Sequence, residues 1–151
     1  MLTLFLVVAM AAAYLSRLST EEFAGGAQVL DGDSLRIVGV EVRLKGIDAP
    51  EFGQICTDAA GQTYNCGERA KQKLRQLIAG NAVRCESSQR DRYGRALAVC
   101  HASDEMISLN EHMVRSGWAV DFGGYGRVEQ VARRESAGLW AGAFDLPSDF
   151  R

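Results

Sequence analysis

The chain has 151 residues, of which 47% are hydrophobic and 24% are charged, and its formal net charge is −2 with a sequence pI of about 5.7. This composition excludes a disordered or fibrous chain and indicates one compact domain with its own core. It also excludes a protein that coats nucleic acid through a large basic excess, so any contact with nucleic acid must depend on a local cluster of side chains.

The N-terminal stretch differs from the rest of the chain, because residues 1–16 carry no charged side chain and are almost all apolar. This stretch is shorter than the roughly 20 residues that span a membrane, and it has the length of the apolar part of a signal peptide. Ala11–Ala13 offer small residues for a cleavage site, whereas the lack of a basic start weakens the signal-peptide interpretation. We expect residues 1–18 to be a signal peptide or a membrane anchor, with a buried core helix as the alternative.

The next residues, 19–27, are polar and contain two glycines, which predicts a linker into a domain over residues 28–146. From Leu35 to Leu44, apolar and polar side chains alternate on either side of a turn at Val38–Gly39, and this period of two predicts a β-hairpin. A loop interrupted by Pro50 follows the hairpin.

The remaining elements follow from hydrophobic period and capping residues. We predict helices over 67–80, 108–117 and 126–140, strands over 82–87, 95–100 and 118–120, and a tail over 147–151. Several short strands with few helices between them favour an α+β domain over a wound parallel sheet. A five-stranded OB-fold β-barrel with about three helices fits this order best.

The four cysteines are predicted to form two disulfides. No pair has CxxC spacing, which argues against zinc, and four cysteines allow three connectivities. Cys85 and Cys100 are symmetric about Arg92–Tyr93, so a hairpin turning there places them opposite each other, and Cys56–Cys66 then closes the other loop. Such pairing indicates an oxidising compartment, and four buried free thiols are the alternative.

Acidic residues lie at both ends of the predicted hairpin. Asp31 and Asp33 precede it, Asp48 and Glu51 follow it, and Arg43 lies between them. Because a hairpin brings its ends together, Asp33 and Asp48 can converge into a site for a hard divalent cation, which prefers carboxylate and carbonyl oxygens. The alternative is that the aspartates only stabilise turns.

Two arginines add a second kind of chemistry to this cluster. Arg43 lies on the polar face of the hairpin, and Arg95 follows the sequence "DRYG". Arginine forks bind phosphate through paired hydrogen bonds, although a single one on a hairpin is usually an ordinary solvated side chain. Two arginines, a cation and a carboxylate that accepts a proton from water are the parts needed for phosphodiester hydrolysis.

Six stretches between residues 29 and 144 carry a family resemblance: "VLDGDSL", "VRLKGIDAPE", "GERAKQKLRQLI", "DRYGRALAVC", "LNEHMVRSGWA" and "ARRESAGLWAGAF". They resemble the staphylococcal nuclease (thermonuclease) family, a group of OB-fold, calcium-dependent nucleases. The pairing of "RLKGIDAPE" with a later "DRYGR" is more specific than any single short motif. The resemblance implies an endonuclease that hydrolyses DNA or RNA by metal-assisted attack of water.

The resemblance also implies residue roles. The ligands of Ca²⁺ would be Asp33, Asp48 and the backbone carbonyl of Ala49, and Glu51 would be the general base. Ala49 stands where the family often has threonine, so a hydroxyl is lost while the carbonyl remains.

On the substrate side, the resemblance implies that Arg43 and Arg95 clamp the phosphate and that Tyr93 and Tyr125 contact the nucleotide. Between Asp31 and Arg115 this chain has twelve basic and twelve acidic residues, so its body is less basic than the family pattern. This balance argues against tight nonspecific DNA binding more than it argues against the chemistry.

Two other functions compete with the nuclease. One is a non-catalytic OB-fold module that binds nucleic acid or protein while tethered to a membrane. The other is a membrane-tethered domain with a protein partner, which only the apolar N-terminal segment supports. The chain keeps Arg43, Glu51 and Arg95, which favours the enzyme.

The sequence also predicts the cellular location and the oligomeric state of the protein. Arg17 favours a cytoplasmic body, whereas the cysteines favour export, and we give the cysteines more weight. We expect an exported (periplasmic or secreted) or membrane-anchored protein, with membrane association through the N-terminal segment, and a monomer.

Overall fold

A computed structural model describes residues 2–18 and 20–151. Its first element, helix α1 (Leu2–Leu18), is apolar, and its side chains from Leu4 to Tyr14 are exposed. Among the described residues, none of the helices has both the length and the apolarity needed to cross a bilayer. Met1 and Ser19, which belong to the predicted leader and linker, lie outside the described residues, as does the side chain of Arg17.

The strands are short and most of them belong to one curled sheet. They are β1 (Glu21–Gly25), β2 (Ala27–Val29), β3 (Ser34–Ile37), β4 (Val40–Leu44), β5 (Ile47–Asp48), β6 (Ile55–Thr57), β7 (Thr63–Asn65), β8 (Val83–Arg90), β9 (Ala96–Ala102) and β10 (Val120–Asp121). The main sheet has the order β1-β8-β9-β4-β3-β2, and β5–β10 and β6–β7 form two small ribbons.

The six strands of the main sheet form a five-stranded barrel, because β1 and β2 are separated only by Gly26. This bent first strand pairs antiparallel with β8 through β1 and with β3 through β2, and β4 pairs parallel with β9. Gly25 has a φ of +152°, which side-chain-bearing residues rarely adopt, so glycine permits the bend. The predicted α+β, OB-type barrel is therefore confirmed.

The predicted linker is wrong over residues 21–25, which form strand β1. Phe23 lies opposite Cys85 in the register and packs against the core, and Arg90 pairs with Glu21 across the two strands. Glycines and acidic residues in so short a stretch suggest a linker, but pairing with β8 decides its structure. The barrel thus begins before residue 28.

The three predicted helices are present with shorter bounds: α2 (Cys66–Ile78), α3 (Leu109–Arg115) and α4 (Gly126–Arg134). The side chains of Asn65 and Ser108 cap α2 and α3 by accepting hydrogen bonds from the third residue of each helix. Beyond α4, residues Gly138–Ala141 form a 3₁₀ turn rather than more α-helix. The predicted tail contains one helical turn, α5 (Pro147–Phe150).

The core lies inside the barrel and beneath α2 and α3. Leu35, Ile37, Val42 and Leu44 of the hairpin are fully buried, as their alternation predicts. Leu74 of α2 is among the helix residues that cover them. Burial of this apolar face fixes the register of the hairpin and hence the positions of the charged side chains at its ends.

Both predicted disulfides are present. Cys85 and Cys100 lie directly opposite each other in β8 and β9, with their Cα atoms 4.1 Å apart. Cys56 of β6 joins Cys66, the first residue of α2, with a Cα separation of 5.6 Å. The second disulfide ties the start of α2 to the chain that follows Glu51.

Candidate active site

Asp33, Arg43 and Asp48 meet at one end of the hairpin. Asp33 directly precedes β3, and its carbonyl accepts a hydrogen bond from Leu44 N at 2.8 Å, which closes the hairpin beside Arg43. Arg43 Nη2 lies 2.8 Å from Asp48 Oδ1 and 3.2 Å from Asp33 Oδ2. Both aspartates are almost fully buried. The convergence of the two carboxylates that the hairpin predicts is therefore present, with one arginine bridging them.

Asp33 is the most perturbed titratable group of the cluster. Burial raises the pKa of its carboxyl to about 7, with Asp31 and Asp48 adding to the rise, against the opposing effects of Arg43 and the Ala49 N–H. The Ala49 N–H donates to Asp33 Oδ2 at 2.9 Å. A buried carboxylate whose charge is incompletely balanced favours the approach of a cation.

Glu51 lies in the loop after Asp48, and its backbone is held by Gln54. The Glu51 N–H donates to Gln54 Oε1 at 3.0 Å, and the Gln54 N–H donates back to the Glu51 carbonyl at 3.0 Å. Gln54 is buried, and its Nε2 donates to the carbonyl of Asp145 at 2.9 Å. On the other side, Gly67 packs so closely that an added Cβ would lie 2.0 Å from the Glu51 carbonyl oxygen. The loop is thus fixed on both sides.

Arg151, which the sequence places in a tail, lies in this cluster. Its Nη1 donates to Asp48 Oδ1 at 3.0 Å and to Glu51 Oε1 at 2.7 Å, and its Nη2 donates to Asp48 Oδ2 at 2.9 Å. No sequence signal identifies this residue, since it lies about 100 positions from its partners and belongs to no motif. Only the folded backbone brings it there.

Arg95 and Tyr93 lie on the turn between β8 and β9, and Asp91 organises that turn. Asp91 Oδ1 accepts from the N–H groups of Tyr93 and Arg95 at 2.9 and 3.0 Å, and Asp91 Oδ2 accepts from Arg95 Nε at 2.7 Å. Although burial acts to raise it, these hydrogen bonds lower the pKa of Asp91 overall. Asp91 therefore stays ionised and holds Arg95 in place.

A cavity of about 490 Å³ joins these parts of the molecule, and it is lined by Arg43, Tyr93, Arg95, Phe122 and Arg151 among others. The side chains of Tyr93 and Phe122 are both 69% exposed. Sequence reasoning missed Phe122. The available signal is indirect, because Phe122 follows strand β10, in which Val120 pairs with Asp48.

Tyr125 is not among the residues that line this cavity. It is half-buried, packs against the core and hydrogen-bonds to the Ser108 side chain, and desolvation raises the pKa of its hydroxyl. It also lies against Gly46, where an added Cβ would approach its ring to 3.1 Å. The structure therefore brings Phe122, and not Tyr125, to the groove that contains Arg43 and Arg95.

The two carboxylates that the resemblance predicts as calcium ligands, those of Asp33 and Asp48, both contact Arg43. Across residues 2–18 and 20–151, no group of three or more His, Cys, Asp or Glu side chains is arranged to hold a metal ion. Asp33 and Asp48 nevertheless supply buried carboxylate oxygens, the donor type that a hard divalent cation takes, with waters and backbone carbonyls completing its coordination. The donor chemistry fits calcium, while both aspartates are paired with arginine.

The molecule thus combines a small OB-type barrel, two buried carboxylates paired with arginine, and a groove lined by several arginines. Comparison with known families matches residues 41–142 to the family described as "Staphylococcal nuclease homologue". The chain belongs to this family, as its motifs predict. Its enzymatic class is that of the nucleases, hydrolases that act on ester bonds.

Three relatives illustrate this membership. The chain is 38% identical over 128 residues to the succinoglycan biosynthesis protein ExoI of Rhizobium meliloti, covering 81% of this chain and 66% of ExoI. It is 34% identical over 130 residues to an uncharacterized endonuclease of Escherichia coli O157:H7, covering 80% and 78%. It is 32% identical over 133 residues to the micrococcal nuclease of Shigella flexneri, covering 76% and 71%.

Proposed function

We propose that the chain is a calcium-dependent nuclease that hydrolyses phosphodiester bonds of DNA or RNA. One observation carries the proposal: Arg43 bridges the two buried aspartates and lines the same groove as Arg95. A phosphodiester in this groove would contact two arginines and lie beside the carboxylates that suit a cation. The calcium ion, the phosphodiester and the general base would then lie next to one another.

Arg43 and Arg95 are the phosphate ligands in this proposal. Asp33 and Asp48 hold the Arg43 guanidinium at 3.2 and 2.8 Å, respectively, which fixes its orientation before substrate arrives. Asp91 contacts the Arg95 guanidinium through Nε, so the terminal amino groups of Arg95 can donate to phosphate oxygens as a fork. Oriented donors stabilise the charge that builds up on phosphate in the transition state without reorganising.

Glu51 is the general base that accepts the proton of the attacking water. Its side chain is 32% exposed, so water can reach it, and Gln54 and Gly67 hold its backbone. A carboxylate fixed within hydrogen-bond distance of the water is the geometry that general-base catalysis needs. In the structure, Glu51 Oε1 accepts a hydrogen bond from Arg151. Arg151 must break this hydrogen bond before Glu51 Oε1 can accept the proton of the water.

Asp33 and Asp48, with the backbone carbonyl of Ala49, would hold the calcium ion. When bound, calcium neutralises phosphate charge and polarises the phosphorus centre. The burial that raises the pKa of Asp33 supports this assignment, because a dication relieves the cost of a buried anion.

Tyr93 and Phe122 are proposed to contact the bases. Both rings are exposed, and both line the groove that contains the arginines. Exposed aromatic rings beside a basic groove stack on bases of any sequence. Since the net charge of the chain is −2, this local arrangement has to supply the attraction for nucleic acid.

We also propose that helix α1 serves as an export signal or a membrane anchor, and that the folded domain is monomeric and works outside the cytoplasm. The exposed apolar side chains of α1 and the two disulfides support this proposal.

The test is cleavage of single-stranded DNA and RNA by the purified full chain, with calcium and then with a chelator. The matched variants are Glu51→Gln and Glu111→Gln. The side chains of Glu51 and Glu111 are 32% and 30% exposed, and each forms an ion pair with an arginine. We expect calcium-dependent cleavage that Glu51→Gln abolishes and Glu111→Gln keeps. Absence of cleavage by the folded wild-type chain would favour a non-catalytic binding module instead.

A further inference from the structure

The Arg151 guanidinium donates three hydrogen bonds to the acidic cluster. It binds both carboxylate oxygens of Asp48, at 2.9 and 3.0 Å, and one oxygen of Glu51, at 2.7 Å. The Asp48 side chain is 2% exposed and the Arg151 side chain is 41% exposed, so the carboxylate of this pair is buried while the guanidinium remains accessible to solvent. Paired, charge-assisted hydrogen bonds of this kind are stronger than those of a lysine or a neutral donor.

The segment before Arg151 is docked onto the same loop that carries Glu51. The carbonyl of Asp145 accepts a hydrogen bond from the buried Gln54 side chain at 2.9 Å, and Pro147 at the start of α5 is buried. These contacts hold the backbone six and four residues before Arg151 and leave its side chain within reach of the site. The position of the guanidinium is therefore supported by the fold around it.

The contacts of Arg151 conflict with cation binding. A hard dication on Asp48 would bind one or both carboxylate oxygens, and Arg151 already binds both of them while Arg43 also binds Oδ1. A guanidinium and a dication would also repel each other at this distance. The two cations cannot occupy the Asp48 carboxylate together in this arrangement.

We propose that Arg151 is a residue of the nuclease site that competes with the divalent cation: its guanidinium occupies the cation's place on Asp48, and also binds Glu51, until the cation displaces it. This inference rests on the proposed function, in that Asp48 is a cation ligand. Cation binding then releases two groups at once: the oxygens of Asp48, which bind the cation, and Glu51, which becomes free to accept a proton.

Release would move the guanidinium within the groove instead of out of the molecule. Arg151 lines the same cavity as Arg43 and Arg95, so a displaced Arg151 stays beside the place proposed for phosphate. The cost of breaking its contacts with Asp48 lowers the affinity for the cation, by the linkage that couples any two competing ligands. Removing Arg151 should therefore strengthen cation binding.

The test measures calcium binding to the full chain by titration calorimetry, without nucleic acid. We expect Arg151→Gln to bind calcium roughly three- to tenfold more tightly than wild type. Arg151→Lys, which keeps the charge but loses the paired hydrogen bonds, should fall between them. The control is Arg92→Gln, which removes the same charge from the same cavity at a residue whose guanidinium lies 4.8 Å from the Tyr93 ring centroid.

The outcomes separate the two proposals. Equal tightening by Arg151→Gln and Arg92→Gln would reveal a general charge effect and overturn the competition, as would unchanged or weaker binding by Arg151→Gln. Absence of calcium binding in every variant would overturn both the competition and the calcium dependence.

A measurement on the wild-type chain gives an independent answer. The Arg151 Nε–H resonance, assigned by its loss in Arg151→Gln, should shift as calcium is added and stop shifting at saturation. A resonance that stays in place while calcium binds would contradict displacement.

Discussion

The two halves of the site are built in different ways. Asp33, Arg43 and Asp48 lie on or beside barrel strands whose apolar faces are buried, so the packing of the core fixes where they point. Glu51 and Arg151 lie on a loop and on the segment that follows Asp145, and hydrogen bonds with Gln54 hold the backbone of both. The barrel fixes the first half, whereas the partly exposed side chains of Glu51 and Arg151 can rearrange when a cation or substrate binds.

Substitution of Arg43 should have the largest effect on the half of the site that lies on the barrel. Arg43→Gln leaves two buried carboxylates facing each other without their shared cation, and we expect a loss of about 3 kcal/mol in the free energy of unfolding together with the loss of activity. Urea unfolding in chelator measures the change. Saturating calcium should restore part of the stability, and a variant as stable as wild type in chelator would show that Arg151 alone balances the charge.

Arg95 tests chemistry without testing the barrel. Arg95→Ala should lower the cleavage rate by about 100-fold or more, because an oriented donor to the transition state is lost. Its stability should change by less than about 1 kcal/mol, since the Arg95–Asp91 pair lies on a turn. Arg115→Ala, which breaks a comparable pair with Glu111 on α3, is the control and should cleave at the wild-type rate. Near-wild-type cleavage by Arg95→Ala would remove this residue from the mechanism.

Gln54 tests how firmly the loop half must be held. Gln54→Leu removes the side-chain hydrogen bonds to Glu51 N and Asp145 O while keeping the buried volume, and we expect kcat to fall by about tenfold with little change in KM. Steady-state kinetics and a thermal melt of the same sample separate positioning from unfolding. A rise in KM at constant kcat would assign Gln54 to substrate binding instead.

The pH dependence of stability tests the burial of the Asp33 carboxyl. Because the pKa of Asp33 is about 7 in the fold and 3.8 in the unfolded chain, the folded state holds the proton more tightly between these values. The contribution of Asp33 to stability is full below about pH 4 and is lost as the pH rises through about 7. In chelator, wild type should therefore lose stability relative to Asp33→Asn over this window. A constant difference would show that Asp33 is ionised throughout.

The barrel half of the site follows from sequence because its spacing is set by the strand period. Alternation of Val42 and Leu44 with Arg43 assigns Arg43 to the polar face, and the hairpin turn brings Asp33 and Asp48 together. The disulfide of Cys85 and Cys100 follows from the same logic of register. In each case, local pattern and tertiary structure agree.

Other parts of the fold and the site could not be predicted from local sequence patterns, because their structure depends on residues far away in the chain. Residues 21–25 form a strand only because β8 offers an edge, and Phe122 reaches the groove because β10 pairs beside Asp48. Arg151 carries no sequence signal at all, yet it makes three hydrogen bonds with Asp48 and Glu51. Hydrophobic periodicity does not predict contacts between residues about 100 positions apart.

The most direct test of the account compares the cleavage rate of single-stranded DNA with calcium occupancy of the same wild-type protein, both measured across one calcium titration. Occupancy is taken from the rise in melting temperature, because a ligand that binds only the folded state stabilises it. We expect the rate to follow occupancy and to vanish in chelator. Cleavage that continues in chelator, or calcium binding that leaves the rate unchanged, would contradict it.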